Sequence, residues 1–258
     1  MKKFLRFEAE GEIKQGVLEN NKVHVIEGDY FSSFNLSGQE YSFSDLRLLA
    51  PCRPDKIVAV GLNYFHHASE MEMDIPEEPI IFLKPSTSII GHKDKIIYPS
   101  AVNTLHYEAE LAAVIKKKCK NISPQEAEEY LLGLTCFNDV TARDLQHKDG
   151  QWTRAKSFDT FSPTGPCIVS GLDWSNLDIS LLLNKEEKQS SSTDDMIFPL
   201  DTIISFISKI MTLLPGDIIT TGTPAGVGEM NVGDVVEVRI EGIGSLVNYV
   251  TRPNTSEE

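Results

Sequence analysis

Between Tyr107 and Ile115 the chain reads Tyr-Glu-Ala-Glu-Leu-Ala-Ala-Val-Ile, an apolar run broken by glutamates at alternate positions. This spacing admits few structures. On a helix, residues two apart lie about 200° around the axis, which sends Glu108 and Glu110 to opposite faces. On a strand both point to one face, roughly 6 to 7 Å apart, and Leu111, Ala113 and Ile115 take the other. The strand gives a sensible core, so the segment reads as β. Two carboxylates on one face repel unless a cation lies between them. Hard oxygen donors of this kind favour Mg²⁺, Mn²⁺ or Ca²⁺ over zinc. The plainer alternative is an edge strand carrying two solvated glutamates.

The rest of the chain is also mostly strand-like. Lys3–Phe7, Gly16–Leu18 and Lys22–Val25 are short candidate strands, with Glu19-Asn20-Asn21 as a turn. Residues 1–50 therefore read as a small N-terminal β region, and Pro51 to Asp55 as a linker. Ile57 to Gly61 and Ile80 to Leu83 read as buried strands, with an exposed, mobile acidic loop from Met71 to Pro79 between them. Asp217–Thr220, Asp234–Ile240 and Ser245–Thr251 are further strands. Two helices are signalled. Ser123-Pro124-Gln125-Glu126 has capping chemistry, and Gly133 is the expected stop. From Pro199 to Leu213, Leu200, Ile203, Ile204, Ile207, Ile210, Met211 and Leu214 follow one helical face, ended by Pro215-Gly216. The expected fold class is mixed, β-rich α+β, with one larger domain over 51–253 and a loose tail at 254–258.

With 258 residues the chain can bury a full core without disulfides. The four cysteines, at 52, 119, 136 and 167, never form C-x-x-C and read as buried thiols rather than a zinc site. The net charge of −14 lacks the footprint of nucleic-acid binding and argues against anionic membrane surfaces. No run of 18 apolar residues exists, and Arg6 and Glu8 interrupt the start, so neither a membrane span nor a signal peptide is expected. The expected compartment is the cytoplasm.

Four further groups have chemical potential. Asp139, in Cys136-Phe137-Asn138-Asp139-Val140, lies in an apolar run where an aspartate needs a partner or a metal. In Asn63-Tyr64-Phe65-His66-His67-Ala68-Ser69-Glu70, His67 and Glu70 are three apart, so on one helical turn the glutamate can orient the imidazole as a general base. His66 can also reach Glu70, and spacing alone does not separate the two. Lys156, among Arg154-Ala155-Lys156-Ser157-Phe158, suits a substrate carboxylate or an enolate. Thr220 to Gly228 is a Gly-rich turn able to cup an anion, but it is neither a P-loop nor a dinucleotide fingerprint. Each group has an ordinary reading too: a satisfied aspartate, a surface pair, a surface lysine, a tight turn.

Their order along the chain resembles the fumarylacetoacetate hydrolase family. The residues that carry the likeness are Asn63-Tyr64 with His67 and Glu70, Tyr107 to Leu111, Asn138-Asp139, Arg143-Asp144-Leu145-Gln146, Lys156-Ser157-Phe158-Asp159 and Thr221-Gly222-Thr223-Pro224. The match runs from about Lys56 to Val250 and is strongest to short bacterial-type members. Those members include 2-hydroxyhepta-2,4-diene-1,7-dioate isomerases, acylpyruvate hydrolases and oxaloacetate decarboxylases. The resemblance implies a β-roll or barrel with short helices, and a homodimer. It implies that Glu108, Glu110 and Asp139 hold a metal, usually Mg²⁺, with Mn²⁺ or Ca²⁺ as substitutes. It places His67 and Glu70 on a lid as a catalytic dyad, preferring His67 over His66, with Lys156 by the reacting carbonyl. Arg143, Gln146 and Thr223 fall at positions that hold substrate or support the metal site.

Three carboxylates around a divalent cation leave positions for a 2-oxo acid, whose enolate the cation and Lys156 would stabilise. The expected activity is isomerisation or C–C hydrolysis of a small 2-oxo or 2-hydroxy-dienoic dicarboxylate or acylpyruvate. The alternatives are oxaloacetate decarboxylation or tautomerisation, and a catalytically idle protein that binds a metal or 2-oxo acid.

Overall fold

Short apolar runs separated by turn residues become strands in three sheets. The structure is a computed structural model that describes residues 1–253; the expected loose tail, 254–258, lies outside them. The N-terminal region is a meander of Lys2–Ala9, Glu12–Glu19, Lys22–Gly28 and Phe34–Ser42. Asn20 and Asn21 both take positive φ, 49° and 65°, giving the two-residue hairpin loop that the Glu-Asn-Asn signal predicts.

This meander is not a separate layer. Lys2–Ala9 pairs with Ser162–Ser170, and the same sheet continues through Leu131–Asn138, Ala109–Ile115, Ile218–Thr220 and Lys56–Gly61 to Ile80–Pro85. A five-stranded sheet, centred on Asp178–Leu183, Val235–Ile240 and Gly244–Thr251, covers it. Leu111, Ala113, Leu134, Ile179, Leu181, Val236, Val238 and Leu246 fill the space between the two sheets. On the other face of the large sheet, Ala112 and Val114 join a second core with Phe4, Ile57, Phe137 and Ile218. The β-rich reading with few short helices therefore holds, as does the burial of all four free cysteines. Among the described residues, no helix is long and apolar enough to cross a membrane.

Three local expectations are corrected. The segment after Ser123 is a 3-10 helix, Pro124–Tyr130, with the capping box in place. Gly133 does not stop it. It lies inside Leu131–Asn138, where an added Cβ would sit 2.3 Å from the Val169 carbonyl oxygen, so the glycine permits a close strand approach. The helix expected to Leu213 is Leu200–Ile210, and Ile210 is 52 % exposed rather than on the buried face. Met211 is already extended, because Met211–Leu213 leaves the helix to bring Leu213 into a bridge with Cys119. Ile80–Pro85 is the last strand of the large sheet and is largely exposed, with Ile80 and Leu83 open to solvent. An apolar run alone does not distinguish a central strand from an edge.

Candidate active site

The two glutamates are not on an edge. Ala109–Ile115 lies between Leu131–Asn138 and Ile218–Thr220, and Glu108 precedes it directly. Glu108 and Glu110 are 6 % and 1 % exposed, which overturns the solvated alternative. Asp139 follows the neighbouring strand. Its N–H donates to the Glu108 carbonyl at 2.9 Å, and Asn138 Oδ1 accepts from the Glu108 N–H at 2.9 Å. These bonds lock the two segments in register. One carboxylate oxygen from each of Glu108, Glu110 and Asp139 lies within 4.8 Å of the other two.

Three cations attend this cluster. Lys156, on the short helix Thr153–Lys156, donates to Glu108 Oε2 at 2.9 Å and to Asp139 Oδ2 at 2.5 Å. Arg143, opening the helix Arg143–Asp149, reaches Glu108 Oε1 and Gln146 Oε1. Lys84, fully buried on the edge strand, donates to Asp139 Oδ1 and to the Phe161 carbonyl, the latter at 2.7 Å. Among the described residues Glu110 has no such partner; it accepts from the Gly222 N–H at 3.0 Å. An N–H of the Gly-rich turn is therefore directed at the protein's own Glu110 carboxyl.

Electrostatics follow from this asymmetry. Burial would raise the Glu108 carboxyl, but Lys156 and Arg143 overcome it and hold the group far below the usual range. Burial, then Asp139 and Glu108, push the Glu110 carboxyl well above its ordinary value. Burial works against the Lys156 ammonium, and Asp139 and Glu108 outweigh it, so its proton is held more tightly than usual. Burial lowers Lys84, with Asp139 opposing. His106 is brought down to about 4 by burial and by Arg143, whose Nε donates to its Nδ1 at 3.3 Å.

The histidine–glutamate pair comes from the helix Phe65–Glu70. His67 Nδ1 lies 3.0 Å from Glu70 Oε2, and the Gly226 N–H donates to both Glu70 oxygens, at 3.1 and 3.2 Å. His66 turns the other way, its Nδ1 2.7 Å from Asp195 Oδ1, and its side chain is 80 % exposed. The chain leading into this helix is fixed by Asn63, which exchanges hydrogen bonds with the Phe198 backbone and donates to the Thr221 carbonyl at 2.8 Å.

A cavity of about 250 Å³ joins these parts. His67, Glu108, Glu110, Asp139, Arg143, Gln146, Lys156 and Thr223 all line it, and Glu70 stands behind His67. The nine residues singled out in the sequence thus converge on one place. Lys84 and Gln189 were not among them. Gln189 accepts from the Ala109 N–H at 2.9 Å and donates to Thr223 Oγ1 at 2.9 Å, linking the carboxylate strand to the turn. Lys84 had a signal, a lysine closing an apolar strand before Pro85; Gln189, in a run of polar residues, had none. The cluster fits a divalent cation: its donors are hard oxygens, and Glu110, left without a cation of its own, is the group a metal would favour in ionised form.

Comparison with known proteins agrees with this arrangement. The family described as Fumarylacetoacetate (FAA) hydrolase C-terminal matches residues 56–251, and the one described as Rv2993c-like, N-terminal matches residues 2–51. An uncharacterized protein of Methanocaldococcus jannaschii is 55 % identical over 230 residues, covering 84 % of this chain and 97 % of that protein. A mitochondrial oxaloacetate tautomerase of Rattus norvegicus is 43 % identical over 219 residues, covering 80 % of this chain and 70 % of that one. The crystal structure of 2-hydroxyhepta-2,4-diene-1,7-dioate isomerase from Mycobacterium marinum superposes with a TM-score of 0.93 at 40 % identity, covering 99 % of this chain and 100 % of the other. By sequence and by fold, this chain belongs to the fumarylacetoacetate hydrolase family.

Proposed function

We propose that the chain is a divalent-cation-dependent enzyme that enolises, isomerises or hydrolytically cleaves a small 2-oxo acid, residues 51–253 forming its catalytic domain. The observation that carries this reading is the meeting of three buried carboxylates, a buried lysine and a histidine–glutamate pair on one cavity. Glu108, Glu110 and Asp139 would hold the cation, Mg²⁺ first and Mn²⁺ or Ca²⁺ in its place. When bound, a divalent cation supplies Lewis-acid polarisation of the 2-oxo carbonyl.

The chain's own residues do the rest. Lys156, buried and protonated, sets positive charge beside the cluster, where an enolate oxygen gains negative charge. Arg143, Gln146 and Thr223 orient the substrate's carboxylate and oxygen atoms. Glu70 takes up Nδ1 of His67, which leaves Nε2 as the base. In the cleavage of a 2,4-dioxo acid, His67 takes a proton from water and the oxygen adds to C4. The C3–C4 bond breaks, C3 keeps the electron pair and takes a proton, and the products are a carboxylate and pyruvate. In isomerisation the same pair returns a proton to a different carbon. A homodimer in the cytoplasm is part of the proposal, tested by sedimentation and fractionation.

The rat relative named as an oxaloacetate tautomerase favours a second reading, in which enol–keto exchange of oxaloacetate is the main reaction. An ultraviolet assay of enol absorbance separates the two. Oxaloacetate, acetylpyruvate, fumarylpyruvate and a 2-hydroxy-dienedioate are each followed with Mg²⁺ and with chelator, and products are identified. Chelator-sensitive turnover is expected, and the product names the reaction. A folded, cation-loaded protein that binds oxalate and turns over none of the four would instead be an idle binder.

A further inference from the structure

The cavity has two unlike halves. Its floor is the carboxylate cluster with Lys156 and Arg143. Its other half is built by Leu62, Met71, Met73, Ile80, Phe82 and Trp152. The strand Ile80–Pro85 grades one into the other. Ile80, Phe82 and Lys84 alternate along it and share a face. Lys84 is buried against Asp139, and Ile80 stands at the open end. Phe82 is the seam: Lys156 Nζ lies 5.2 Å from its ring centre, and Trp152 meets the same ring edge-to-face, centroids 5.2 Å apart at 78°. Gly61 makes room for the indole, since a Cβ there would lie 2.4 Å from Trp152 Cζ3.

The charges are distributed just as unevenly. The arginine and lysine in the lining, Arg143 and Lys156, are both paired to the carboxylates of the floor. Beyond Phe82, among the described residues that line the cavity, neither lysine nor arginine is present, and His147 stands exposed at the rim. A carboxylate carried into this half would meet thioethers, an isoleucine side chain and aromatic edges. It would lose part of its water, and the donor this half offers in return is the neutral indole N–H of Trp152.

We infer that the apolar half is the tail site and that it selects an uncharged, apolar tail. This rests on the proposed function. The preferred substrate is then a 2,4-dioxo acid, or its enol, ending in a short alkyl group rather than in a second carboxylate. A second carboxylate one carbon from the 2-oxo carbon, as in oxaloacetate, stays over the polar floor and is not selected against. Trp152, Phe82 and Ile80 are the residues that set the preference.

The test compares acids of matched length. 2,4-Dioxoheptanoate and 2,4-dioxoheptanedioate differ only in a terminal methyl or carboxylate. The alkyl acid is expected to have a kcat/KM higher by on the order of 100-fold. From acetyl to butanoyl tails, kcat/KM is expected to rise about fourfold per methylene. Trp152→Ala flattens that rise, and Ile80→Arg, at an exposed position that tolerates charge, narrows the methyl–carboxylate gap by roughly tenfold or more. A dioate handled as well as the alkyl acid, or a methylene series unmoved by Trp152→Ala, overturns the inference. Failure of the underlying reading looks different: no 2,4-dioxo acid of any tail is then turned over or enolised. Calorimetric binding of the unreactive N-propyloxamate against N-(2-carboxyethyl)oxamate still reads the tail preference in that case, and equal affinity refutes it.

Discussion

Lys84 offers a direct measure of how tightly the floor of the cavity is held. Its side chain is fully buried and donates to Asp139 Oδ1 and to the Phe161 carbonyl. Lys84→Met keeps much of the volume and removes these bonds together with a longer one, 3.4 Å, to the Val140 carbonyl. Removing one member of a buried ion pair costs about 3 to 5 kcal/mol. Two features place this case at the lower end. Lys156 remains on Asp139 Oδ2, so the aspartate keeps one cation. Burial also lowers the Lys84 pKa, so the wild-type ammonium is itself under strain from desolvation, which methionine relieves. A loss of about 3 kcal/mol is therefore expected, which for a chain of this size lowers Tm by roughly 6 to 12 °C. Calorimetry and urea unfolding read it, with Lys118→Met, at an exposed lysine, as the control that should stay within about 0.5 kcal/mol. A Lys84→Met protein melting within about 2 °C of wild type would refute the reasoning, because the ammonium would then contribute no more than its burial costs.

Glu110→Gln should stay folded, since burial and two neighbouring carboxylates already favour the neutral form, and should bind Mg²⁺ at least tenfold more weakly by calorimetry. His67→Ala should slow cleavage of a 2,4-dioxo acid by about 100-fold or more while enol–keto exchange falls much less; equal losses in the two assays would remove His67 from water activation. His92, whose Nδ1 accepts from the Val247 N–H at 3.2 Å, has its pKa lowered from 6.5 by burial and by Lys93. The unfolded chain therefore takes up the proton first as pH falls, so its contribution to stability is complete above 6.5 and declines toward the lower folded value. His92→Asn should flatten the urea midpoint against pH in that window, and an unchanged slope would count against it.

The parts legible in the sequence were those with a short-range cause. Alternation placed Glu108 and Glu110 on one face, and two asparagines announced a hairpin. The order of the site residues along the chain brought in Asp139, Lys156 and the His67–Glu70 pair as a set. The parts that were not legible depend on neighbours distant in sequence. Gly133 reads as a helix stop until Val169 is seen beside it. Ile80 to Leu83 reads as buried because nothing local tells an edge from an interior. His66 and His67 differ by one position, and local spacing did not separate them; the resemblance preferred His67, and in the structure Asp195, 129 residues beyond His66, draws His66 away.

The pairing of Lys2–Ala9 with Ser162–Ser170 has a consequence during synthesis. Lys2 and its partner Ser170 are 168 residues apart. Within the meander of residues 2–42 each strand pairs with the next one in sequence, local pairings that can form before the rest of the sheet is made. Its first strand then waits for its docking partner. From Ser42 to Ser170, at 5 to 20 residues per second, that wait is roughly 6 to 26 s. An open strand edge for so long invites pairing with another nascent chain. In a chain of net charge −14, the waiting strand carries Lys2, Lys3 and Arg6. Identical strands aligned in parallel would bring these cations together, whereas an antiparallel pair would set Lys3 against Glu8, so the charge pattern of the waiting edge disfavours parallel self-pairing alone.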